Sequence, residues 1–390
     1  MLKFNLDKTR CMGCSACYSA CPKHCISMVQ DEEGFLYPEA SDDCIDCGLC
    51  ENVCPMVNPK IKNDHPKTAI VAVTKDYTIW HRSASGGAFS EIVRHWADTD
   101  TLVVGAAWDG LNVHHIGVKG FENIAPLCKS KYISSAIENT FIEIREQLKA
   151  GGKAIFCGCP CQVDGLRHFL RKDYDKLLTI DLICHGQGSP MVFKACMEVI
   201  GEQLGEEILS YEFRTKRIVH EEDYLSKVVT PKGVHYISKD QYQQLFLKQD
   251  ALRPACGEHC RYRDPLRPGD LTIADCKGLT KIYPDLVGAK RNYSTIVSNS
   301  SKGLAVLKLL NLTMYTRPCS VEDVIKYNPL FASQTWFSKN RNKFFEDFKL
   351  NPIETIKRDT TQFYRVSWTP KRIIKTFCPS FLLKIISILK

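Results

Sequence analysis

The hydrophobic pattern changes near residue 68, dividing the chain into regions of different architecture. Upstream, segment 26–38 (ISMVQDEEGFLYP) places two short strand-like runs around a polar turn and predicts a hairpin. Downstream, AIVAVT (69–74) and TLVVGAAW (101–108) read as strands, with a helix over Ala88–Trp96 behind a Ser-Gly-Gly start. A helix over about 138–150 ends at Gly151-Gly152 and leads into KAIFCG (153–158). VDGLRHFLRK (163–172) is helical in spacing and leads into LLTIDLIC (177–184). Strand, loop, helix and strand in this order predict an α/β domain with a mainly parallel sheet, whose binding loops follow the strands. Between 205 and 250 the alternation is looser and predicts an antiparallel insertion.

The N-terminal region contains an internal repeat. Cys11-Met-Gly-Cys14-Ser-Ala-Cys17-Tyr-Ser-Ala-Cys21-Pro22 recurs as Cys44-Ile-Asp-Cys47-Gly-Leu-Cys50-Glu-Asn-Val-Cys54-Pro55. Both copies read C-x2-C-x2-C-x3-C-P. Three cysteines at this spacing wrap one face of a cubane, and the fourth thiolate reaches the other cluster. Cys11, Cys14, Cys17 and Cys54 are therefore expected to hold one 4Fe-4S cluster, and Cys44, Cys47, Cys50 and Cys21 the second. A zinc site would want four ligands in two pairs, not eight in a repeat. Cys25 is left as a small buried thiol beside a cluster. The expected organisation is an α+β ferredoxin-like module over 1–58, a linker over 59–67 and the α/β domain over 68–290. A helical region with a basic apolar tail follows over 291–390.

Cysteine usage sharpens this picture. Nine of the twenty cysteines lie between Cys11 and Cys54 and eleven are spread beyond, so two kinds of thiol chemistry are expected. MLKFNLDKTR has no apolar core of a secretory signal, which favours metal ligands over disulfides and a cytoplasmic location. The formal charge of +8 is concentrated at the end: six basic residues and no acidic one follow Thr360. The remaining 46 basic and 44 acidic residues nearly balance (52 − 6 against 44), with no basic stripe for nucleic acid. The tail KRIIKTFCPSFLLKIISILK (371–390) is too charged to span a bilayer but suits peripheral contact with an anionic membrane face, a helix packed on the body being the alternative.

In the large domain, Ser83-Ala-Ser85-Gly86-Gly87 precedes a helix and offers backbone N–H groups and hydroxyls to a phosphate, with a plain capped turn as the alternative. No G-x-G-x-x-G, P-loop or C-x3-C-x2-C occurs. Cys157-Gly-Cys159-Pro-Cys161-Gln162 and Cys184-His185-Gly186 each follow a predicted strand, and Cys256-Gly-Glu-His-Cys260 could approach them. Cys161, Cys184, Cys256 and Cys260 form the best set for a third cluster. A redox-active or substrate-facing pair among Cys157, Cys159 and Cys161 competes with it, as do silent buried thiols.

Taken together, these segments resemble the coenzyme F420-reducing hydrogenase/dehydrogenase beta-subunit family, in the bacterial form that often accompanies polysaccharide gene clusters. Ser130-Lys131-Tyr132 and Arg267-Pro-Gly-Asp270-Leu-Thr-Ile-Ala-Asp275 add to the match, which spans about residues 1–290. The resemblance implies a flavin, FAD, between an iron-sulfur relay and a substrate pocket, with Ser85, Gly86, Gly87, Ser130, Lys131 and Tyr132 around it. Cys159 stands where a threonine is usual, and Asp275-Cys276-Lys277-Gly278 replaces the family's Asp-Phe-Trp-Gly. The substrate is not named by the resemblance, since family members reduce a deazaflavin coenzyme or chlorophyll-type pigments.

The expected function is an iron-sulfur flavoprotein oxidoreductase that exchanges electrons with a ferredoxin-like protein and reduces a small organic substrate. A non-catalytic electron-transfer subunit docked on a partner enzyme is the alternative, and an iron-sulfur sensor the third. No catalytic residue is assigned; His185 and Asp275 are proton-donor candidates by position.

Overall fold

A computed structural model describes residues 7–59, 65–216, 225–257, 260–287, 289, 291–332 and 338–365. Most of the expected linker and the tail beyond Arg365 lie outside the described residues.

The two cysteine runs fold alike because their backbones repeat. α1 (Ala16–Ala20) lies within the first run, and β1 (Ile26–Gln30) pairs antiparallel with β2 (Leu36–Ala40) before α2 (Leu49–Asn52) within the second. Positive φ recurs at matching places, Gly13 and Ser15 in one run, Asp46 and Gly48 in the other. Such alternation curls the chain into a concavity suited to an anionic group. The expected hairpin is present.

The large domain begins with β3 (Thr68–Thr74), α3 (Tyr77–His81) and α4 (Ala88–Trp96). Next come β4 (Leu102–Asp109), β5 (Asn112–Lys119), α5 (Thr140–Lys149), β6 (Ala154–Gly158), α6 (Pro160–Leu170), β7 (Leu177–Leu182) and α7 (Pro190–Leu204). β8 (Ser210–Glu212), β9 (Leu225–Thr230), β10 (Gly233–Ser238) and α8 (Gln241–Lys248) form the insertion, and β11 (Leu271–Asp275), β12 (Ser294–Ser298) and β13 (Met314–Cys319) return to the main sheet. The main sheet runs β13-β3-β12-β11-β7-β6-β4-β5.

This sheet is mixed, which corrects the expectation of a mainly parallel one. Only the centre, β4-β6-β7-β11, is parallel. β5 turns back on β4 through Gly110, whose φ of +57° suits the tight connection. β12 and β13 both pair antiparallel with β3, so the stretch after residue 290, read as helical, also supplies two strands. Five of the seven β3 residues are buried, and pairing on both edges satisfies its backbone. The antiparallel insertion is present as a small sheet of β8, β9 and β10, closed by Tyr364–Arg365.

The N-terminal module is packed onto the large domain. Ala16 and Val53 share a core with Phe141, Phe156, Val163 and Leu166. Gly165, inside α6, permits this docking, because a Cβ there would lie 2.9 Å from both Cβ and Sγ of Cys14. A mid-helix glycine costs roughly 0.5–1 kcal/mol relative to alanine, and here the close approach gives the reason for it.

Candidate functional site

The first cysteine set converges. Cys11, Cys14, Cys17 and Cys54 line one cavity, together with Cys161 and Tyr262 of the large domain. Burial pushes the Cys14, Cys17 and Cys54 thiols above their ordinary value. Holding them as thiolates therefore requires a cationic partner such as cluster iron, and loading the site releases protons. Three guanidinium groups brace the surrounding backbone: Arg253 Nε donates to the Cys11 carbonyl (2.8 Å), Arg261 to Pro55 (2.7 Å) and Arg10 to Met56 (3.0 Å). Arg253 is buried at 1% exposure and stacks over Tyr37. Asp164 is the neighbouring carboxylate, and it accepts the Tyr262 hydroxyl (2.8 Å).

The second set faces outward. Cys44 and Cys47 are exposed, Cys50 is half-buried and Cys21 is buried. Cys21 Sγ lies 3.3 Å from that of Cys25, and Cys17 and Cys50 pack against the same pair. Exposed carboxylates at Glu39, Asp42, Asp43, Asp46 and Glu51 surround this set, and no lysine or arginine occurs between Ile26 and Asn58.

The large-domain thiols divide into two groups. Cys184, Cys256 and Cys260 sit near enough to Cys161 to raise its thiol electrostatically, and Cys159 joins them with its Sγ 3.7 Å from that of Cys184. The sulfur–sulfur contact with Cys159 draws the Cys184 thiol down to about 7, while burial pushes Cys256 up to about 12. Cys157 instead neighbours Cys128 and Lys131. Glu258 and His259 lie outside the described residues. Among the described residues no three such side chains suit a single metal ion, but a cube of four irons is wider than one ion. A buried set made of thiols fits an iron-sulfur cluster.

The segments that carry these thiols are pinned from below. α6 starts at an N-cap, Cys159, whose backbone N–H donates to Gln162 Oε1 (2.9 Å), with Pro160 in the first turn. The fully buried Asp181 at the end of β7 accepts from Arg267 (2.8 Å), Gly269 N–H (2.8 Å) and Thr272 (2.7 Å). Arg267 and Asp181 thus fix the strand end from which Cys184 departs.

Two family models match the chain. Residues 151–322 match the C-terminal part of the coenzyme F420 hydrogenase/dehydrogenase beta subunit, and residues 5–61 match a 4Fe-4S dicluster domain. Residues 151–322 belong to the coenzyme F420 hydrogenase/dehydrogenase beta-subunit family. Over 67 residues, 15% of its length, it is 33% identical to an uncharacterised ferredoxin of Methanocaldococcus jannaschii, covering 87% of that protein. A solved structure described as the xenon-derivatised F420-reducing [NiFe] hydrogenase complex from Methanosarcina barkeri is similar at 16% identity and a TM-score of 0.46, over 75% of this chain and 96% of that one. The protein is an iron-sulfur electron-transfer chain of oxidoreductase type. Among the described residues, no helix is long and apolar enough to cross a membrane.

The flavin contacts expected from the family were tested against the same geometry. Arg214 draws their segments together: one nitrogen bonds Asp275 (2.6 Å) and Tyr132 Oη (3.2 Å), and the other bonds the Ala84 carbonyl (3.3 Å). The polar groups themselves are taken by the protein. Ser85 Oγ donates to the Tyr293 carbonyl (2.8 Å) and Gly86 N–H to Ser294 Oγ (2.9 Å). A Cβ on Gly86 would strike the Ala72 carbonyl oxygen, and one on Gly87, at φ +94°, would lie 2.8 Å from the Thr74 methyl. Lys131 Nζ donates to the carbonyls of Pro126 (3.0 Å) and Cys128 (2.7 Å), and burial pulls it down to about 8. Tyr132 lies against the rings of Phe213 and Phe246, and Ser130 is half-buried. Ser85, Gly86 and Lys131 thus spend these donors within the protein, and the Ser-Gly-Gly turn also serves the packing of β3 against β12.

The proton-donor candidates part company as well. Burial brings His185 down to about 4, leaving it neutral near pH 7, with Nε2 bonded to the Phe246 carbonyl (3.1 Å). Asp275 is held in its ion pair with Arg214. Sequence reasoning passed over Gln187, Arg253, Tyr262 and Asp164. Only Gln187 carried a signal, its place directly after Cys184-His185-Gly186.

Proposed function

We propose that this protein conducts electrons from an external carrier such as a ferredoxin through its two ferredoxin-type clusters into a third cluster, and from there to a substrate-bearing site. The cavity shared by Cys11, Cys14, Cys17 and Cys54 with Cys161 and Tyr262 carries this reading. In it, Cys161 of the large-domain thiol set lies beside the inner cysteines. The exposed Cys44 and Cys47 make the outer site the place where a carrier is met. The ligand sets are Cys11, Cys14, Cys17 and Cys54; Cys44, Cys47, Cys50 and Cys21; and Cys161, Cys184, Cys256 and Cys260.

Reduction of a small organic substrate through FAD, with a link to polysaccharide biosynthesis, is the finer form of this proposal and draws on the family resemblance. The internally spent groups at Ser85, Gly86 and Lys131 favour the second reading, a subunit that delivers electrons to a partner enzyme. Cofactor content after purification without oxygen separates them. About twelve irons and one released flavin per chain support the flavoenzyme, about twelve without flavin the delivering subunit, and about eight remove the third cluster from both.

A further inference from the structure

One buried side chain touches both the first cysteine run and the large-domain thiols. Gln187, 5% exposed, lies on the loop after β7. Its Nε2 donates to the Met12 carbonyl (3.0 Å), within the Cys11–Cys14 turn, and to Cys161 Sγ (3.3 Å). Its backbone N–H donates to Cys256 Sγ (3.3 Å). The amide has only one chemically sensible orientation, because both nitrogen contacts are acceptors while Oε1 receives the Ser134 hydroxyl (3.0 Å). The Gln187 carbonyl accepts the N–H of Arg253 (2.9 Å), whose guanidinium holds the Cys11 carbonyl. The loop is thus tied to the first cysteine run through two side chains.

An N–H bond to a ligand sulfur stabilises the more negative, reduced form of a cluster and so raises its potential. One amide NH2 that donates to both a ligand sulfur and the backbone of the neighbouring cluster's loop also fixes the spacing between the two sites. We propose that Gln187 is a positioning residue that raises the reduction potential of the Cys161, Cys184, Cys256 and Cys260 cluster and holds it in register with the Cys11, Cys14, Cys17 and Cys54 cluster. One electron leaves the inner ferredoxin cluster, which is oxidised, and reduces the large-domain cluster, with no bond made or broken. This rests on the three-cluster reading above.

The test uses the full chain purified without oxygen, with iron counted before any variant is compared. Potentiometry followed by electron paramagnetic resonance then reads the clusters of wild type, Gln187→Leu and Ser134→Ala. With about twelve irons retained, Gln187→Leu is expected to lower the potential of the large-domain cluster and leave both ferredoxin clusters unmoved. Ser134→Ala, which only frees the amide to turn, is expected to lower it less. Full iron with an unmoved potential overturns the proposal. Should Gln187→Leu lose about four irons, Ser134→Ala decides in the same way. About eight irons in the wild type would sink the three-cluster reading itself, and this inference with it.

Discussion

The two halves of the N-terminal repeat share a spacing and a backbone conformation, yet they occupy opposite environments. The inner set sits in a cavity closed by Cys161 and Tyr262, with Arg10, Arg253 and Arg261 bracing its loops. The outer set keeps Cys44 and Cys47 exposed among carboxylates. The same thiol spacing is thus enclosed at one end and open to solvent at the other. Burial, not ligand identity, makes the difference.

Forcing the inner set away from the large domain is the strongest way to break this contrast. Gly165→Leu places a side chain where a Cβ already meets Cys14 at 2.9 Å. Overpacking of this kind costs typically 1–3 kcal/mol, and here it is expected to undock the module. Loss of about four irons and rapid proteolytic release of the N-terminal region should follow. A Gly165→Leu protein with full iron and wild-type protease resistance would show that the contact is incidental.

Ligand removal should separate the halves next. Cys17→Ser and Cys47→Ser are each expected to lose about four irons. Only the inner variant should also lower the unfolding temperature of the large domain, because its cavity is shared. Equal melting shifts in calorimetry would contradict the asymmetry.

Metal-free protein sharpens the comparison through pH. Cys256 is raised by burial to about 12, above its ordinary 9.0, so its contribution to stability is full below pH 9 and is lost as pH rises towards 12. Denaturant midpoints of the apoprotein should therefore fall on the alkaline side. In timed alkylation at pH 8, Cys44 and Cys47 should react first, and Cys14, Cys17 and Cys256, held as neutral thiols, last. Uniform labelling would remove the distinction.

The smallest effect is expected at Gly48. It has φ +69°, but nothing lies within 4 Å of a Cβ there. Gly48→Ala should cost only the left-handed strain, about 1 kcal/mol, and keep all iron. Iron loss would mean that the outer loop is as tightly constrained as the inner one.

Several features were legible before any fold was known. The repeat identified a module of dicluster type because thiol spacing is local, and the period change near residue 68 marked the start of the alternating domain. The parallel centre of the sheet followed from alternating strands and helices, whereas its antiparallel flanks were missed. Asp109-Gly110 between two strand runs was a readable hairpin signal for one flank. The other depended on β12 and β13 returning to β3 from more than two hundred residues away. The Ser-Gly-Gly turn has partners just as remote: Ser85 Oγ and Gly86 N–H donate to Tyr293 and Ser294, each 208 positions on.

The sequence by itself therefore determined the repeated thiol spacing of the two runs and the local backbone that curls around each. Only the tertiary structure decided which set is buried, which thiols of the large domain meet, and that Gln187 lies between them. The reason is distance along the chain. Gln187 meets Met12 across 175 positions and Arg253 meets Cys11 across 242, and neither contact leaves a periodic trace in the residues between.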